Sequence, residues 1–397
     1  MPRELLAIAP RTPVLREYTE PPLGPAQVRI RAEFASPKHG SSLVTYRGTP
    51  GALSLKYDRE WGCLLPTDEA DAPPFPRRLG NMAAGVVTEV GAAVSRFRPG
   101  DRVFGHLPIR ETYTVHESRI DPLPEGLTPE GAVCLDPAVM ALAIRDAGIK
   151  LGDRVAVFGL GAIGLLAVQL ARLAGASQVI AVDPLAPRRE LAQRYGADQA
   201  IAPGDDGGLA VRRLTEPVGE HPPPEALPAP EAEAAPTLAD ELERLGQPRR
   251  VGRHVLGGYA GRETQWGNLG ADVSIEASGN THALQDAIRS TRFGGTVCVL
   301  SYYPGEAAGL RLGEEFHLNQ LQLLSCRSES LPMRDAPGWT LDRMAGTALR
   351  WLATGRLRTD GLVTPVLPFE QSPDAYRLMD EHPEQCIKVG IRFDASS

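Results

Sequence analysis

The hydrophobic pattern changes near residue 146 and predicts two kinds of architecture in one chain. Before that point apolar and polar residues alternate, as in residues 26–34 (AQVRIRAEF), and turn-rich stretches separate the short runs. Alternation with a period of two is typical of half-buried strands, so this part is predicted to be an antiparallel, barrel-like sheet. After residue 146 short apolar runs alternate with segments of helical period, which predicts a parallel sheet covered by helices.

Individual elements follow from the same pattern. In the first part, further strands are expected at residues 83–90 and 101–104. In the second part, the apolar runs predict strands near 155 and at 178–182, 273–276, 296–300 and 321–325, with helices at 163–174 and 341–353. The last alternating run, residues 387–393, is expected to return to the first sheet.

A glycine motif follows the strand near residue 155. Gly159, Gly161 and Gly164 have the spacing G-x-G-x-x-G at the point where that strand gives way to a helix. In such a unit the first glycine permits a tight turn, the second lets a pyrophosphate approach the backbone, and the third allows close helix–strand packing. Because the helix starts there, the amides of Ala162 and Ile163 are expected to face the phosphates.

The residue that ends the next strand indicates which dinucleotide binds. Asp183 lies 19 residues beyond Gly164, where a carboxylate can accept both hydroxyls of an adenosine ribose. A 2′-phosphate would be repelled there, so NAD(H) is favoured over NADP(H). Arg188 and Arg189 keep the alternative open, because a guanidinium can bind a phosphate. They could equally be solvated or stack on adenine.

Length, charge and cysteine usage are those expected of a soluble enzyme. The 397 residues are enough for two or three domains, and the net charge of −7 argues against nonspecific nucleic-acid binding. No apolar run approaches membrane-spanning length, and the first residues lack a secretion-signal pattern. The five cysteines are scattered singly, which favours reduced thiols over a disulfide framework. We therefore expect a cytoplasmic protein with no membrane or nucleic-acid partner.

A segment within the second part does not fit a compact nucleotide-binding domain. Residues 217–236 contain seven prolines and four glutamates, a composition that cannot bury enough surface to offset its ordering entropy. We expect an exposed insertion over about 204–268, with a short helix following the proline-rich stretch. A tolerated surface insertion and a partner-docking element both remain open.

Taken with these residues, the chain resembles the medium-chain dehydrogenase/reductase superfamily, the zinc-type alcohol dehydrogenase fold. The matching segments are LGDRVAVFGLGAIGLLAVQLARLAGASQVIAVD, GNMAAGVVTEVG, GDRVFGH, GADVSIEASG and FGGTVCVLSYYPG. SPKHGSSLVTYRG and EAAGLRLGEEFHLNQLQLLSC further resemble a subgroup that includes bacteriochlorophyllide and sugar or polyol dehydrogenases.

The resemblance implies the domain plan and some further positions. It implies an α/β fold in which a Rossmann doubly wound parallel sheet spans residues 146–327 and a GroES-like, β-barrel-type catalytic domain spans 1–145 and 328–397. It also assigns Ser278, Leu300 and Ser301 to the cofactor site. A homodimer or homotetramer is expected, with contacts near residues 320–327.

The chain departs from this resemblance at the metal ligands. The cysteine, histidine and cysteine or glutamate that hold catalytic zinc in the superfamily correspond to His39, Asn81 and Asp136. A neutral asparagine is a poor zinc ligand, and the lobe that binds structural zinc has no counterpart. The sequence therefore predicts a site without zinc.

Without a metal, a side chain must take the hydroxyl proton as hydride leaves. His39 is the leading candidate because the unperturbed pKa of histidine lies near neutral. Ser41 could relay the proton, Asp136 could hold one imidazole tautomer or bind a substrate hydroxyl, and Lys38 is a further acid–base or oxyanion candidate. Three of these residues also have a structural interpretation: His39 as a satisfied loop histidine, Asp136 as a helix cap and Lys38 as a solvated lysine.

Candidate substrate-binding residues lie in the same part of the chain. Asn81 and His106 belong to segments expected to line the cleft, and Tyr57 and Trp61 lie in a loop that could form a substrate wall or pack its own aromatics.

We expect an NAD-dependent, zinc-independent oxidoreductase that acts on a secondary alcohol or ketone of a polyol, sugar or natural-product intermediate. Three alternatives remain: an NADPH-dependent enoyl or quinone reductase, tightly bound NAD serving an epimerisation or elimination, and a catalytically silent nucleotide-binding interaction protein.

Overall fold

A computed structural model of the chain describes residues 1–48, 55–66, 75–215, 269–303, 306–327 and 333–394. Strands in the described part are β1 Arg3–Ala9, β2 Thr12–Glu17, β3 Gln27–Ser36, β4 Leu55–Asp58, β5 Cys63–Pro66, β6 Arg77–Arg78, β7 Met82–Val90, β8 Arg102–Gly105, β9 Thr112–His116, β10 Asp121–Pro122, β11 Arg154–Phe158, β12 Gln178–Val182, β13 Gln199–Ile201, β14 Ala271–Glu276, β15 Thr291–Val299, β16 Gln322–Ser325, β17 Val363–Pro368 and β18 Lys388–Arg392.

Helices in the same ranges are α1 His39–Arg47, α2 Pro129–Ala132, α3 Leu135–Ala141, α4 Ala162–Leu173, α5 Ala186–Arg194, α6 Gly207–Leu214, α7 Thr281–Ser290, α8 Leu341–Ala353 and α9 Ser372–Glu381. Short 3-10 helices lie at Glu117–Arg119, Leu142–Ala147, Phe369–Gln371 and Pro383–Gln385, and a short π-helical segment lies at Leu312–Phe316. None of the helices in the described ranges is both long and apolar enough to cross a membrane.

The second part of the chain forms the expected parallel sheet. Within the described residues its six strands run in the order β13-β12-β11-β14-β15-β16. Because the order reverses between β11 and β14, a crevice opens beyond the carboxyl ends of these strands, where doubly wound folds bind their ligands. Phe158 pairs with Val182 on one side and with Glu276 on the other, so all three strands end at this crevice.

The first and last parts of the chain share the mainly antiparallel sheet. Its order is β10-β8-β7-β3-β18-β17, and β9 also pairs with β3. Ile391 of β18 pairs with Ala35 of β3, which confirms that the C-terminal strand returns to the first sheet. The α/β fold class predicted from the pattern is confirmed.

The sequence assigned residues 204–268 to an insertion, but its first residues are regular. Asp206 caps α6 by accepting a hydrogen bond from the Leu209 amide at 2.8 Å, and Arg289 of α7 bonds the same carboxylate. Residues 204–215 therefore belong to the nucleotide-binding domain. The proline-rich segment and its expected helix lie in 216–268, outside the described residues.

Candidate active site

The glycine turn has the geometry that the motif predicts. Gly159 has φ +86°, and a Cβ there would lie 2.6 Å from the Cβ of Ser278. A Cβ on Gly164 would collide with the Gly159 carbonyl oxygen, whereas one on Gly161 would meet nothing within 4 Å. The first and third glycines therefore permit close packing, and the second leaves open space at the start of α4.

Asp183 is tied to this turn. Its side chain is buried at the end of β12 and accepts hydrogen bonds from the amides of Leu160, at 2.8 Å, and Leu185, at 2.9 Å. Since Leu160 lies inside the glycine motif, the carboxylate ties the end of β12 to the glycine turn. A second anionic group next to this buried carboxylate would be energetically costly.

The two arginines after Asp183 are engaged with backbone carbonyls. Arg188 donates to the carbonyl oxygens of Pro383 and Cys386 at 2.9 and 2.7 Å, and another of its nitrogens lies 3.7 Å from the Asp183 carboxylate. Arg189 donates to the carbonyl oxygen of Asp183 at 2.8 Å and to that of Pro184 at 2.7 Å. These bonds engage both guanidinium groups with carbonyl oxygens of the protein's own backbone.

The other residues that the resemblance assigns to the cofactor site lie where neighbouring strands end. Ser278 follows β14, while Leu300 and Ser301 follow β15, and the Leu300 amide donates to the Glu276 carbonyl at 2.9 Å. Glu276 was missed by the sequence argument, although it lies in the GADVSIEASG segment. Its fully buried carboxylate accepts from the Ser278 amide at 2.7 Å and from the Tyr303 hydroxyl, so it holds the loop against which Gly159 packs.

Across the cleft, Lys38 and Asp136 form an ion pair. Lys38 precedes α1, Asp136 lies in the first turn of α3, and Lys38 Nζ donates to Asp136 Oδ1 at 3.1 Å. The two side chains are 22% and 9% exposed. A solvated lysine and a purely capping aspartate are therefore both wrong descriptions, because each side chain has the other as a partner.

His39 has a different environment from the one expected. Its Nε2 accepts a hydrogen bond from the Val389 amide at 3.3 Å. Burial and the positive charges of Lys388 and Arg188 lower the pKa of His39 to about 3. The imidazole is therefore neutral near physiological pH, and one of its two nitrogens is already engaged. A catalytic role for His39 stays a prediction, but the premise of a pKa near neutral is wrong.

Lys388 was not identified from the sequence, where it is a single lysine in an alternating strand. It is 4% exposed, and its Nζ donates to the Pro37 carbonyl at 3.2 Å. Burial lowers its pKa, Cys134 and Asp136 act in the opposite direction, and Lys38 adds to the lowering. The signal available was a lysine near the start of the alternating run 387–393, since lysine is almost never fully buried without a partner.

The remaining candidate residues differ in burial. The backbone amide of Asn81 donates to the Ser36 carbonyl at 3.2 Å. The side-chain nitrogen, Nδ2, is buried without a hydrogen-bond partner among the described residues. His106 is exposed after β8. Tyr57 and Trp61 are 60% and 76% exposed on the β4–β5 hairpin, so they form no packed substrate wall in this structure. The Ser41 side chain lies outside the described part.

Comparisons with known proteins agree with this architecture. A family model described as the alcohol dehydrogenase GroES-like domain matches residues 53–122, and one described as zinc-binding dehydrogenase matches residues 162–340. D-guloside 3-dehydrogenase of Escherichia coli (strain K12) is 35% identical over 401 residues, covering 98% of this chain and 100% of that protein. Sorbitol dehydrogenase 1 of Saccharomyces cerevisiae is 25% identical over 352 residues, covering 80% of this chain and 82% of its own.

A solved structure has the same fold over the whole chain. A Sinorhizobium meliloti protein assigned as a zinc-binding dehydrogenase and bound to NADP superimposes with a TM-score of 0.66. It is 21% identical, and the match covers 99% of each chain. At that identity the likeness concerns the fold and not the choice of nucleotide.

Proposed function

The chain belongs to the medium-chain dehydrogenase/reductase superfamily, as an oxidoreductase acting on alcohols with a pyridine nucleotide, and we propose that it oxidises a secondary alcohol of a sugar or polyol with NAD⁺ and without zinc. The observation that carries the proposal is the pairing of two features across one cleft. A buried Asp183 is bonded to the glycine turn on one side, and on the other Lys38 forms an ion pair with Asp136, one of the three positions that the resemblance assigns to zinc ligands.

The residues of the crevice fit a dinucleotide. The open space at Gly161 and the free amides at the start of α4 suit a pyrophosphate, and the Asp183 carboxylate suits the ribose hydroxyls. When bound, the nicotinamide accepts or supplies the hydride. NAD is favoured over NADP because Asp183 would repel a 2′-phosphate while Arg188 and Arg189 are bonded elsewhere.

Zinc does not fit the residues at its usual position. Of the three positions, Asn81 offers a neutral amide, Asp136 is already paired with Lys38, and one nitrogen of His39 is bonded to the Val389 amide. Lys388 adds a further ammonium or amine nearby. Zinc requires three good nitrogen, sulfur or carboxylate ligands, and a neighbouring ammonium group repels a divalent cation.

Lys38 is the group best suited to handle the hydroxyl proton. In the oxidation direction Lys38 first releases one ammonium proton to solvent, and it then takes the hydroxyl proton as the substrate O–H bond breaks and hydride leaves the same carbon. The resulting ammonium is stabilised by Asp136. In the reverse direction the Lys38 ammonium donates that proton to the carbonyl oxygen as hydride arrives. His39 then acts as a neutral hydrogen-bond donor through Nδ1, because Nε2 is the acceptor.

A polyhydroxylated substrate suits the polar groups around this pair. The unpartnered Nδ2 of Asn81 is a donor that a substrate oxygen could satisfy, and leaving such a group unpaired is costly. Since the full-length relative is a D-guloside 3-dehydrogenase, we propose a ring hydroxyl of a hexoside as the first substrate to test.

The proposal is tested by NADH formation with a substrate panel. Hexosides, including D-gulosides, free hexitols and butanediol are each offered with NAD⁺ or NADP⁺, before and after exhaustive chelation. We expect turnover of at least one sugar or polyol with NAD⁺, unaffected by chelation, and well under one zinc per chain by elemental analysis. Stoichiometric zinc that chelation removes together with activity, or a preference for NADP⁺, would contradict it.

A further inference from the structure

Lysine is rare in this chain, and its placement is not uniform. Only Lys38, Lys56, Lys150 and Lys388 occur, although lysine and arginine together number 42. Two of these four flank the same carboxylate, Asp136, with Lys38 bonded to it and Lys388 within its electrostatic influence. A chain that otherwise uses arginine for positive charge thus has two compact, titratable ammonium groups at one place. The two basic side chains are not interchangeable there.

Strand β18 holds the residues on both sides of Lys38. Ser36 Oγ donates to the Val389 carbonyl at 2.7 Å, and Lys388 Nζ donates to the Pro37 carbonyl at 3.2 Å. The Val389 amide donates to His39 Nε2 at 3.3 Å. Residues 36, 37 and 39 are therefore fixed to two consecutive residues of β18, while the side chain of Lys38 itself reaches away to Asp136.

We propose that Lys388 is a positioning residue for the Lys38–Asp136 pair, because its buried ammonium group fixes the Pro37 carbonyl and with it the direction in which Lys38 leaves the backbone. A proline carbonyl has no intrinsic preference for that orientation, and the turn it belongs to joins β3 to α1 without a regular hydrogen-bond ladder. Two side chains donate to this carbonyl oxygen, Ser36 Oγ from the preceding residue at 3.2 Å and Lys388 Nζ at 3.2 Å, and Lys388 is the donor that comes from the distant strand β18.

The surroundings of Lys388 are consistent with this role. The titratable groups that face it are Lys38, Asp136 and Cys134, and its positive charge is also felt by His39. The hydrogen bond to a carbonyl oxygen can be donated by either the ammonium or the amine form, so the positioning does not depend on the protonation state. Arginine has a larger, planar head group, and a fully buried slot beside Pro37 favours the slimmer side chain.

This inference rests on the proposed dehydrogenase function, so its test includes a readout that does not depend on turnover. Lys388→Met removes the donor at similar length, Lys388→Arg retains it, and Lys150→Met alters an exposed lysine as the matched control. Each protein is assayed for kcat, KM and NAD affinity. The labelling rate of Lys38 by an amine-reactive succinimidyl ester is followed by mass spectrometry, which is simple with four lysines in the chain.

We expect Lys388→Met to lower kcat ~10- to 100-fold, the scale for a displaced catalytic group, with KM changed less. NAD affinity should stay within about twofold of the unaltered protein, because the crevice is not touched. Lys38 labelling should rise several-fold as its ion pair loosens, and Lys388→Arg should recover part of both properties. Lys150→Met should match the unaltered protein.

A folded Lys388→Met protein with unchanged kcat and unchanged Lys38 labelling would overturn the inference. If that variant does not bind NAD and is unfolded, Lys388→Arg decides: loss of kcat with Lys38 labelling unchanged would overturn it as well. If no substrate is turned over by the unaltered protein, the proposed function fails, while the labelling arm still decides whether Lys388 positions Lys38.

Discussion

The two sides of the cleft are built in different ways. The crevice takes its main groups from one strand–turn–helix–strand unit, between Gly159 and Asp183, and its shape depends on the backbone of the glycine turn. The Lys38–Asp136 cluster takes residues from three distant parts of the chain, and all its contacts with a substrate would be made by side chains. One site depends on local backbone geometry, and the other depends on long-range packing.

This difference determines how each site should respond to change. In the crevice a substitution acts mainly through space and φ, so the affinity for the cofactor should suffer before the chemical step. In the cluster a substitution acts through charge and direction, so the chemical step should suffer while NAD still binds. The predictions below separate these two patterns, beginning with the largest effect.

Lys38→Met should lower kcat by ~10²–10⁴, the usual loss when a general acid or base is removed. The side chain is similar in length but cannot carry a proton, and Asp136 is left without its partner. Steady-state kinetics measure kcat, and a titration with NAD measures the affinity for the cofactor. Lys150→Met, at an exposed lysine, is the control. A loss of NAD affinity as large as the loss of kcat would contradict the idea that the Lys38–Asp136 cluster serves the chemical step and the crevice serves NAD binding.

How much could be predicted from sequence differs in the same way. Local signals were enough for the turn at Gly159 and for the strand that ends before Asp183, because the spacing of a contiguous motif fixes the backbone path and the strand that follows. The return of β18 to β3 was also predictable, since alternation survives at the end of the chain. These are features that neighbouring residues determine.

The rest depends on tertiary contacts that no local pattern encodes. Lys38 and Asp136 are 98 positions apart, and nothing near either residue says that they pair. Lys388 lies a further 252 positions along, and it acts on Pro37 only because β18 docks beside β3. The pKa of His39 was misjudged for the same reason, since burial and distant positive charges set it.

Gly159→Ala should lower NAD affinity by ~10-fold or more, because an alanine at positive φ costs about 1–2 kcal/mol and the new methyl group also meets Ser278. Gly148→Ala is the matched control: it has φ +66° with nothing within 4 Å of the added Cβ, so it carries the strain without the contact. Calorimetric titration with NAD compares the two. Equal NAD affinities of the two variants would mean that the contact with Ser278 does not limit the space at the glycine turn.

Asp183→Ala should weaken NAD binding by about 1–3 kcal/mol, the scale of lost charge-assisted hydrogen bonds. It should also narrow the gap to NADP, because the carboxylate that repels a 2′-phosphate is gone. Part of the loss will come from the Leu160 amide, which loses its acceptor. Binding constants for both nucleotides check this, and an unaltered protein that prefers NADP would show that Asp183 has been misinterpreted.

The last prediction concerns His39 and the dependence of stability on pH. The imidazole has a pKa of about 3 when folded and an ordinary value near 6.5 when unfolded. Since the unfolded state binds the proton more tightly, the stabilising contribution is fully present above pH 6.5 and is lost as the pH falls toward 3.

His39→Asn removes this titration, so its unfolding free energy should fall less between pH 7 and pH 5 than that of the unaltered protein, as measured by urea unfolding. The other histidines are common to both proteins and cancel in the difference. If the two proteins lose stability equally over this interval, His39 is not held in its neutral form. Burial and the positive charges of Lys388 and Arg188 would then act on this imidazole more weakly than the structure indicates.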